Sequence, residues 1–307
     1  MNRVLVVAHD AGGAEVVSSW VKNRGDSEFT FFLTGPAVSI FHRKLGDIEV
    51  CGGSGTDLLV SAADSVLTGT GYGSDLPKLA ISSALSQGIH VVSYLDHWTN
   101  YRSRFEWNGK LLLPNEIWVG DPHAHQLASK TFRDTKVRLV PNEYLRDMRR
   151  DIMAMRQEPR EGREIHILFV AEPMCAAAAA HFGNPNHWGT TEFYVLEKYL
   201  SYTQGLTQPY HLTIRPHPAE PDGKYGALIS DRVSVSERPR RPLAEDIAWA
   251  DWVVGWDSMA MAVAVEAGRS VFSCIPKGGP PLALPYPEIV QIFDESDVGH
   301  SVRCGSL

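Results

Sequence analysis

Arg215, Pro216, His217 and Pro218 follow directly on Leu212, Thr213 and Ile214, a run with strand chemistry. A guanidinium and an imidazole at a strand end suit an anion, because charge-assisted hydrogen bonds to phosphate oxygens are strong. The flanking prolines fix φ and stiffen the turn, so the ring is held rather than mobile. Beside a departing phosphate, a protonated imidazole would also serve as an acid. Asp257 and Ser258 stand between the strand-like DWVVGW and the helical MAMAVAVEAG. A serine in that place caps the helix, and with the first-turn amides it also binds a phosphate oxygen. Arg215, His217, Asp257 and Ser258 form the candidate phosphate-binding set.

A second constellation lies near the amino terminus. His9, Asp10, Gly12 and Gly13 separate the run RVLVVA from an amphipathic helix. Asp10 is the candidate general base and His9 the runner-up, while the two glycines let a ligand approach the backbone. The plainer reading is a helix cap on a tight turn. The spacing is not GxGxxG, so a nicotinamide cofactor gains little support. TGTGYGSD (68–75) and YLDHWTNYRSRF (94–105) also leave strand ends. The latter carries Asp96 and His97 among aromatic and cationic residues, a mixture suited to a sugar or a phosphorylated acceptor, or to an ordinary loop stapled by its aromatics. His123 and His125 are two apart and point to different helix faces, so no metal site is expected, and no cofactor.

These residues need a frame that gathers strand ends. The pattern of short apolar strand, turn and amphipathic helix recurs along the chain, which predicts an α/β protein with parallel sheets and right-handed crossovers. The charged stretch 143–163 breaks the alternation and reads as a connector between domains 1–150 and 151–307. The 307 residues are 44% hydrophobic and 21% charged, with a formal net charge of -7. A general nucleic-acid binder would usually be basic, so no nucleic-acid partner is expected. No signal peptide or membrane-length apolar run is found, although peripheral membrane contact stays open. Cys51, Cys175, Cys274 and Cys304 lie far apart without a CxxC and read as reduced thiols of a cytoplasmic protein.

The ensemble resembles the GT-B glycosyltransferases, in which two Rossmann-like domains face each other across a cleft. RPHP resembles the His-Pro motif of bacterial sialyltransferases, polysialyltransferases and CDP-glycerol glycerophosphotransferases. WDSMAMA resembles their downstream serine motif. In those families the histidine and serine bind the phosphate of a CMP- or CDP-linked donor, which carries over to His217 and Ser258. HDAGG resembles the GT-B glycine loop where acceptor and base meet, which carries over to Asp10 or His9, Gly12 and Gly13. Many sugar-nucleotide enzymes of this fold also carry a ribose-binding glutamate five residues before the glycine that closes the helix. Here that position is Val263, which favours a cytidine donor over a UDP- or GDP-sugar. The resemblance implies a metal-independent transferase of polysaccharide biosynthesis. It would move a glycosyl or glycerophosphoryl-like group from a nucleotide-activated sugar or similar donor to a glycan or small-molecule acceptor. A hydrolase or epimerase of the same fold, and a binding module without turnover, are the alternatives.

Overall fold

In the computed structural model, which describes residues 2–52, 55–155, 164–236 and 240–293, strands and helices alternate through two units, Met1–Asp147 and Met148–Leu307. The first unit runs β1 (Asn2–Ala8), α1 (Ala11–Lys22), β2 (Ser27–Leu33), α2 (Pro36–Leu45), β3 (Val50–Cys51), α3 (Thr56–Ser61), β4 (Ser65–Thr68), α4 (Leu76–Ser86) and β5 (His90–Leu95). After a single turn of helix, α5 (Tyr101–Arg104), comes a small hairpin of β6 (Glu106–Trp107) and β7 (Lys110–Leu111). β8 (Glu116–Val119), α6 (Pro122–Thr131) and β9 (Lys136–Leu139) follow, and α7 (Glu143–Ala154) runs across the boundary into the second unit. The second unit runs β10 (Ile165–Val170), α8 (Met174–Phe182), α9 (Glu192–Thr203), β11 (Tyr210–Arg215), β12 (Val233–Val235), α10 (Leu243–Trp249), β13 (Trp252–Gly255), α11 (Met259–Glu266), β14 (Ser270–Ser273) and β15 (Val290–Gln291).

Each unit holds one main parallel sheet. The orders are β3-β2-β1-β4-β5-β8-β9 and β12-β11-β10-β13-β14-β15. Both are the doubly wound, Rossmann-like order, so the expected fold class holds for each unit. The central strands are apolar without alternation, because a parallel sheet is covered on both faces. Leu5, Val6 and Val7 of β1, and Ile167 and Leu168 of β10, are fully buried. In each sheet the winding reverses beside the first strand, between β1 and β4 and between β10 and β13. At such a reversal the flanking connections leave toward opposite faces and open a crevice at the carboxyl ends.

Two expectations are corrected. The sequence reading takes the chain from β10 into a loop at 181–189. The structure inserts α8 first, as the high helix propensity of its alanines permits. Cys175 is disulfide-bonded rather than reduced. Pairing depends on tertiary proximity, which spacing along the chain does not report. Cys51 and Cys274 are free, and Cys304 lies outside the described residues. Among the described residues, no helix is long and apolar enough to cross a membrane.

The first crevice depends on α1 lying close to the end of β4. A Cβ at Gly13 would stand 2.8 Å from the Thr70 carbonyl oxygen and 2.9 Å from its amide nitrogen. Helix propensity alone would favour Gly13→Ala by up to about 1 kcal/mol. Overpacking against backbone that cannot yield costs about 1–3 kcal/mol and should win. Urea denaturation should therefore show Gly13→Ala to be less stable than wild type. A gain in stability would mean that α1 has room to move.

Candidate functional site

At the first reversal, Asp10 leaves β1 and reaches the loop after β4. It occupies the N-cap position of α1, but its side chain makes no capping bond. Its Oδ2 instead accepts from the amides of Tyr72 (2.5 Å) and Gly73 (3.0 Å). Side chains at Gly71 and Gly73 would collide with the Asp10 carboxylate, so the loop closes over it only as glycine. His9 lies alongside. Its Nδ1 pairs with the Thr34 hydroxyl at 2.8 Å, and its Nε2 lies 3.8 Å from Asp10 Oδ1. The His9 ring thus lies between the Thr34 hydroxyl and the Asp10 carboxylate at the strand end.

Asp96, at the end of β5, joins the same crevice. A Cβ at Gly12 would stand 2.1 Å from its Oδ2, so Gly12 is the space this carboxylate occupies. Its Oδ1 accepts from Arg104 (2.7 Å) and from the Thr70 hydroxyl (2.9 Å). Arg104 is 8% exposed, which makes the pair a buried one that anchors α5. His97 turns elsewhere, with Nδ1 at 3.3 Å from the Thr99 hydroxyl and its ring against Trp98. The structure thus gathers His9, Asp10, Gly12, Gly13 and Asp96 at one crevice.

The second crevice opens where β10, β11 and β13 end. Val170 pairs with Arg215 on one side and with Gly255 on the other. Two residues past that row stand Glu172, His217 and Asp257. His217 is fixed by its surroundings. Its amide donates to Glu220 Oε2 at 2.7 Å, and its Nδ1 accepts from the Ala219 amide at 3.1 Å. An accepting Nδ1 leaves the proton on Nε2. Burial lowers the pKa of this ring, and the nearby Glu220 offsets that only in part. In the ligand-free protein the ring is thereby biased toward the neutral imidazole with its proton on Nε2, and the acid role expected beside a departing phosphate is untouched by this bias.

Arg215 is turned aside. Its guanidinium pairs with the buried Asp246 of α10 and donates to the Arg241 carbonyl at 2.9 Å. One guanidinium nitrogen of Arg215 is thus committed to Asp246 and the Arg241 carbonyl, while His217 and Ser258 stand at the ends of strands on either side of β10. Ser258 caps α11, accepting from the Ala260 amide at 3.4 Å. Asp257 accepts from the amides of Leu284 and Ala283, and burial still raises its pKa to about 6. Val263 is fully buried within α11.

Sequence reasoning missed the carboxylates that organise this crevice. Glu220 is 2% exposed. Besides the His217 amide, it accepts from the Tyr225 hydroxyl and from Lys224 Nζ, each at 2.7 Å. Lys224 also pairs with Glu192, which accepts from the Cys175 amide at 3.0 Å. Three-residue spacing from His217 to Glu220 was the only available signal, and it is common in turns. Glu172 was missed as well. Burial, then the charges of Asp257 and Glu220, push its carboxyl up to about 8, and the Ser258 hydroxyl counteracts only part of this. Among the described residues, no three His, Cys, Asp or Glu side chains gather as a metal site.

No family model and no curated protein sequence matches the chain. Solved structures do. The S. aureus MnaA–UDP complex aligns with a TM-score of 0.62 at 11% identity, covering 89% of this chain and 79% of that one. The UDP-GlcNAc 2-epimerase of Methanocaldococcus jannaschii aligns with a TM-score of 0.60 at 10% identity, covering 95% and 89%. That of Neisseria meningitidis, bound to UDP-GlcNAc, aligns with a TM-score of 0.55 at 12% identity, covering 88% and 82%. At such identities the likeness is one of fold, the pair of Rossmann-like domains of the GT-B class. None of these matches reaches the narrower His-Pro group.

The raised carboxyls have a measurable consequence. A carboxyl whose pKa is higher when folded favours the folded state below its ordinary pKa, and that contribution fades as pH rises toward the folded value. For Asp257 the fading ends near pH 6, and for Glu172 it continues to about pH 8. The melting temperature of Glu172→Gln, relative to wild type, should rise by about 3–6 °C between pH 6 and 8 and level off above. A difference that stays constant across that window would place the Glu172 carboxyl in ordinary solvent.

Proposed function

We propose that this chain is an enzyme acting on a nucleotide-activated sugar, with the nucleotide phosphates held in the second crevice. The observation that carries the reading is the pair of neutral donors at the strand ends. His217 Nε2–H follows β11, and the Ser258 hydroxyl with the first amides of α11 follows β13. Both flank the reversal of the sheet, where doubly wound proteins bind ligands. Arg215 is a positioning residue in this reading, tying the end of β11 to α10 through Asp246.

The reaction proposed first is transfer to a glycan or small-molecule acceptor, with Asp10 or His9 taking the acceptor proton. A second reading, epimerisation of the bound sugar nucleotide, is supported by whole-chain fold likeness to UDP-GlcNAc 2-epimerases. The proposed nucleotide is uridine rather than cytidine, because the similar structures are solved with UDP or UDP-GlcNAc. With valine at 263, the ribose must be held by groups other than a glutamate at that position.

Incubation with UDP-GlcNAc, followed by proton NMR of the sugar and by UDP release, separates the readings. UDP released only when an acceptor is present marks a transferase. A changed sugar configuration without an acceptor marks an epimerase. Binding without either sinks the enzymatic proposal.

The residues give sharper tests. A hydrogen bond to a charged group contributes about 1.5–3 kcal/mol, so His217→Ala should weaken UDP binding roughly ten- to a hundredfold in calorimetry. Asp10→Asn should lower kcat by roughly 10²–10⁴-fold while UDP affinity hardly changes. An equal loss in both would mark Asp10 as structural.

A further inference from the structure

We propose that Arg240, rather than Arg215, is the cation that meets the ligand phosphate beside His217, a role that rests on the reading of the second crevice as a phosphate site. Sequence pattern singles out Arg215, because it is the last residue of β11. In the fold, Nη1 of Arg215 is held by the buried Asp246 carboxylate and by the Arg241 carbonyl. A second guanidinium, 23 residues beyond His217, reaches the His217 turn.

Two carbonyls at the carboxyl edge of the sheet set its position. Arg240 Nε donates at 3.2 Å to the carbonyl of Ser236, the residue that follows β12. Its Nη1 donates at 3.4 Å to the carbonyl of His217, two residues past the end of β11. β11 and β12 are paired, and the Ser236 amide donates to the Ile214 carbonyl at 2.8 Å, so the two exits are fixed side by side. The half-buried Arg240 thus spans both exits. A carbonyl fixes where a guanidinium sits without cancelling its charge. The five N–H donors form a planar fork, which can bond carbonyls along one side and a phosphate along another.

The other groups of the crevice supply hydrogen bonds more than charge. Burial lowers the pKa of the His217 ring, Glu220 opposes this, and the Arg240 charge lowers it further, so that charge is within electrostatic reach of the imidazole. A ring biased toward neutrality donates a hydrogen bond but offers little charge to an anion. Lys224, four residues past Glu220, is shared by the Glu220 and Glu192 carboxylates. Ser258 brings a hydroxyl and the first amides of α11. Arg240 adds a full positive charge to these donors, and a guanidinium keeps that charge throughout the physiological pH range.

Calorimetric titration of UDP into the full chain, at low and at high salt, tests the role. Charge-assisted hydrogen bonds to phosphate are strong, so Arg240→Gln should weaken UDP binding roughly ten- to a hundredfold. Salt screens a half-exposed ionic contact, so between about 0.05 and 0.5 M salt wild type should lose UDP affinity more steeply than Arg240→Gln does. Arg240→Lys keeps the charge and should recover part of the loss. A merely structural arginine, acting only through the His217 carbonyl, would leave the salt dependence as it is in wild type. UDP affinity in Arg240→Gln within about twofold of wild type, or an unchanged salt dependence, overturns the proposal and leaves the phosphate site standing. A wild-type affinity that does not change with salt overturns it as well, whether or not the variant folds. No UDP binding by wild type at low salt overturns both readings.

Discussion

Parallel pairing sends every strand of a sheet out through the same edge, and the chemistry of both units depends on that constraint. Residues that follow successive strands are tens of positions apart in sequence, yet they meet within a side chain's length. Asp10 after β1 meets Tyr72 and Gly73 after β4 in this way. Glu172 after β10 and Asp257 after β13 leave the second sheet from neighbouring strand ends in the same way. The reversal of strand order chooses which exits are left open, because connections elsewhere cover the edge from one face or the other.

An open edge is polar, and the two crevices meet that demand differently. In the first, a buried Arg104–Asp96 pair and the amides of a glycine loop answer the carboxylates. In the second, the described carboxylates are met by a mixture of cations, amides and hydroxyls. Glu220 and Glu192 share one lysine, while Asp257 accepts from backbone amides. Withdrawal from solvent disfavours the ionised form, so the half-buried Asp257 and Glu172 shift toward their protonated forms. A neutral acid is a donor, which makes an acid-rich crevice compatible with an anionic ligand.

Glu220 shows why such a group is retained despite its burial. Its carboxylate accepts from a backbone amide, a phenol and an ammonium. Each donor lies within eight residues of the His-Pro turn, so the turn is set by one fully satisfied acceptor. The prolines on either side of His217 restrict the backbone, but the amide bonds to Glu220 Oε2 and His217 Nδ1 decide where the imidazole points and which nitrogen carries the proton.

The sequence by itself determined the alternation of strand and helix, hence two doubly wound α/β units, because unbroken apolar runs such as VLVV and ILFV fit only strands covered on both faces. It also located the strand ends where Asp10, Gly12, His217 and Ser258 stand, since motif and hydrophobic periodicity are local properties. Local pattern was silent on partners. It could not assign Arg215 to Asp246 rather than to a ligand, put Asp96 against Gly12, pair Cys175, or single out Glu172 and Glu220 among the chain's acidic residues. Those outcomes depend on burial and on neighbours brought from distant strands. Burial and charge also bias protonation: the His217 ring is pushed toward its neutral form, and two carboxyls that would be ionised in water hold their protons to higher pH, because only the folded protein withdraws them from solvent.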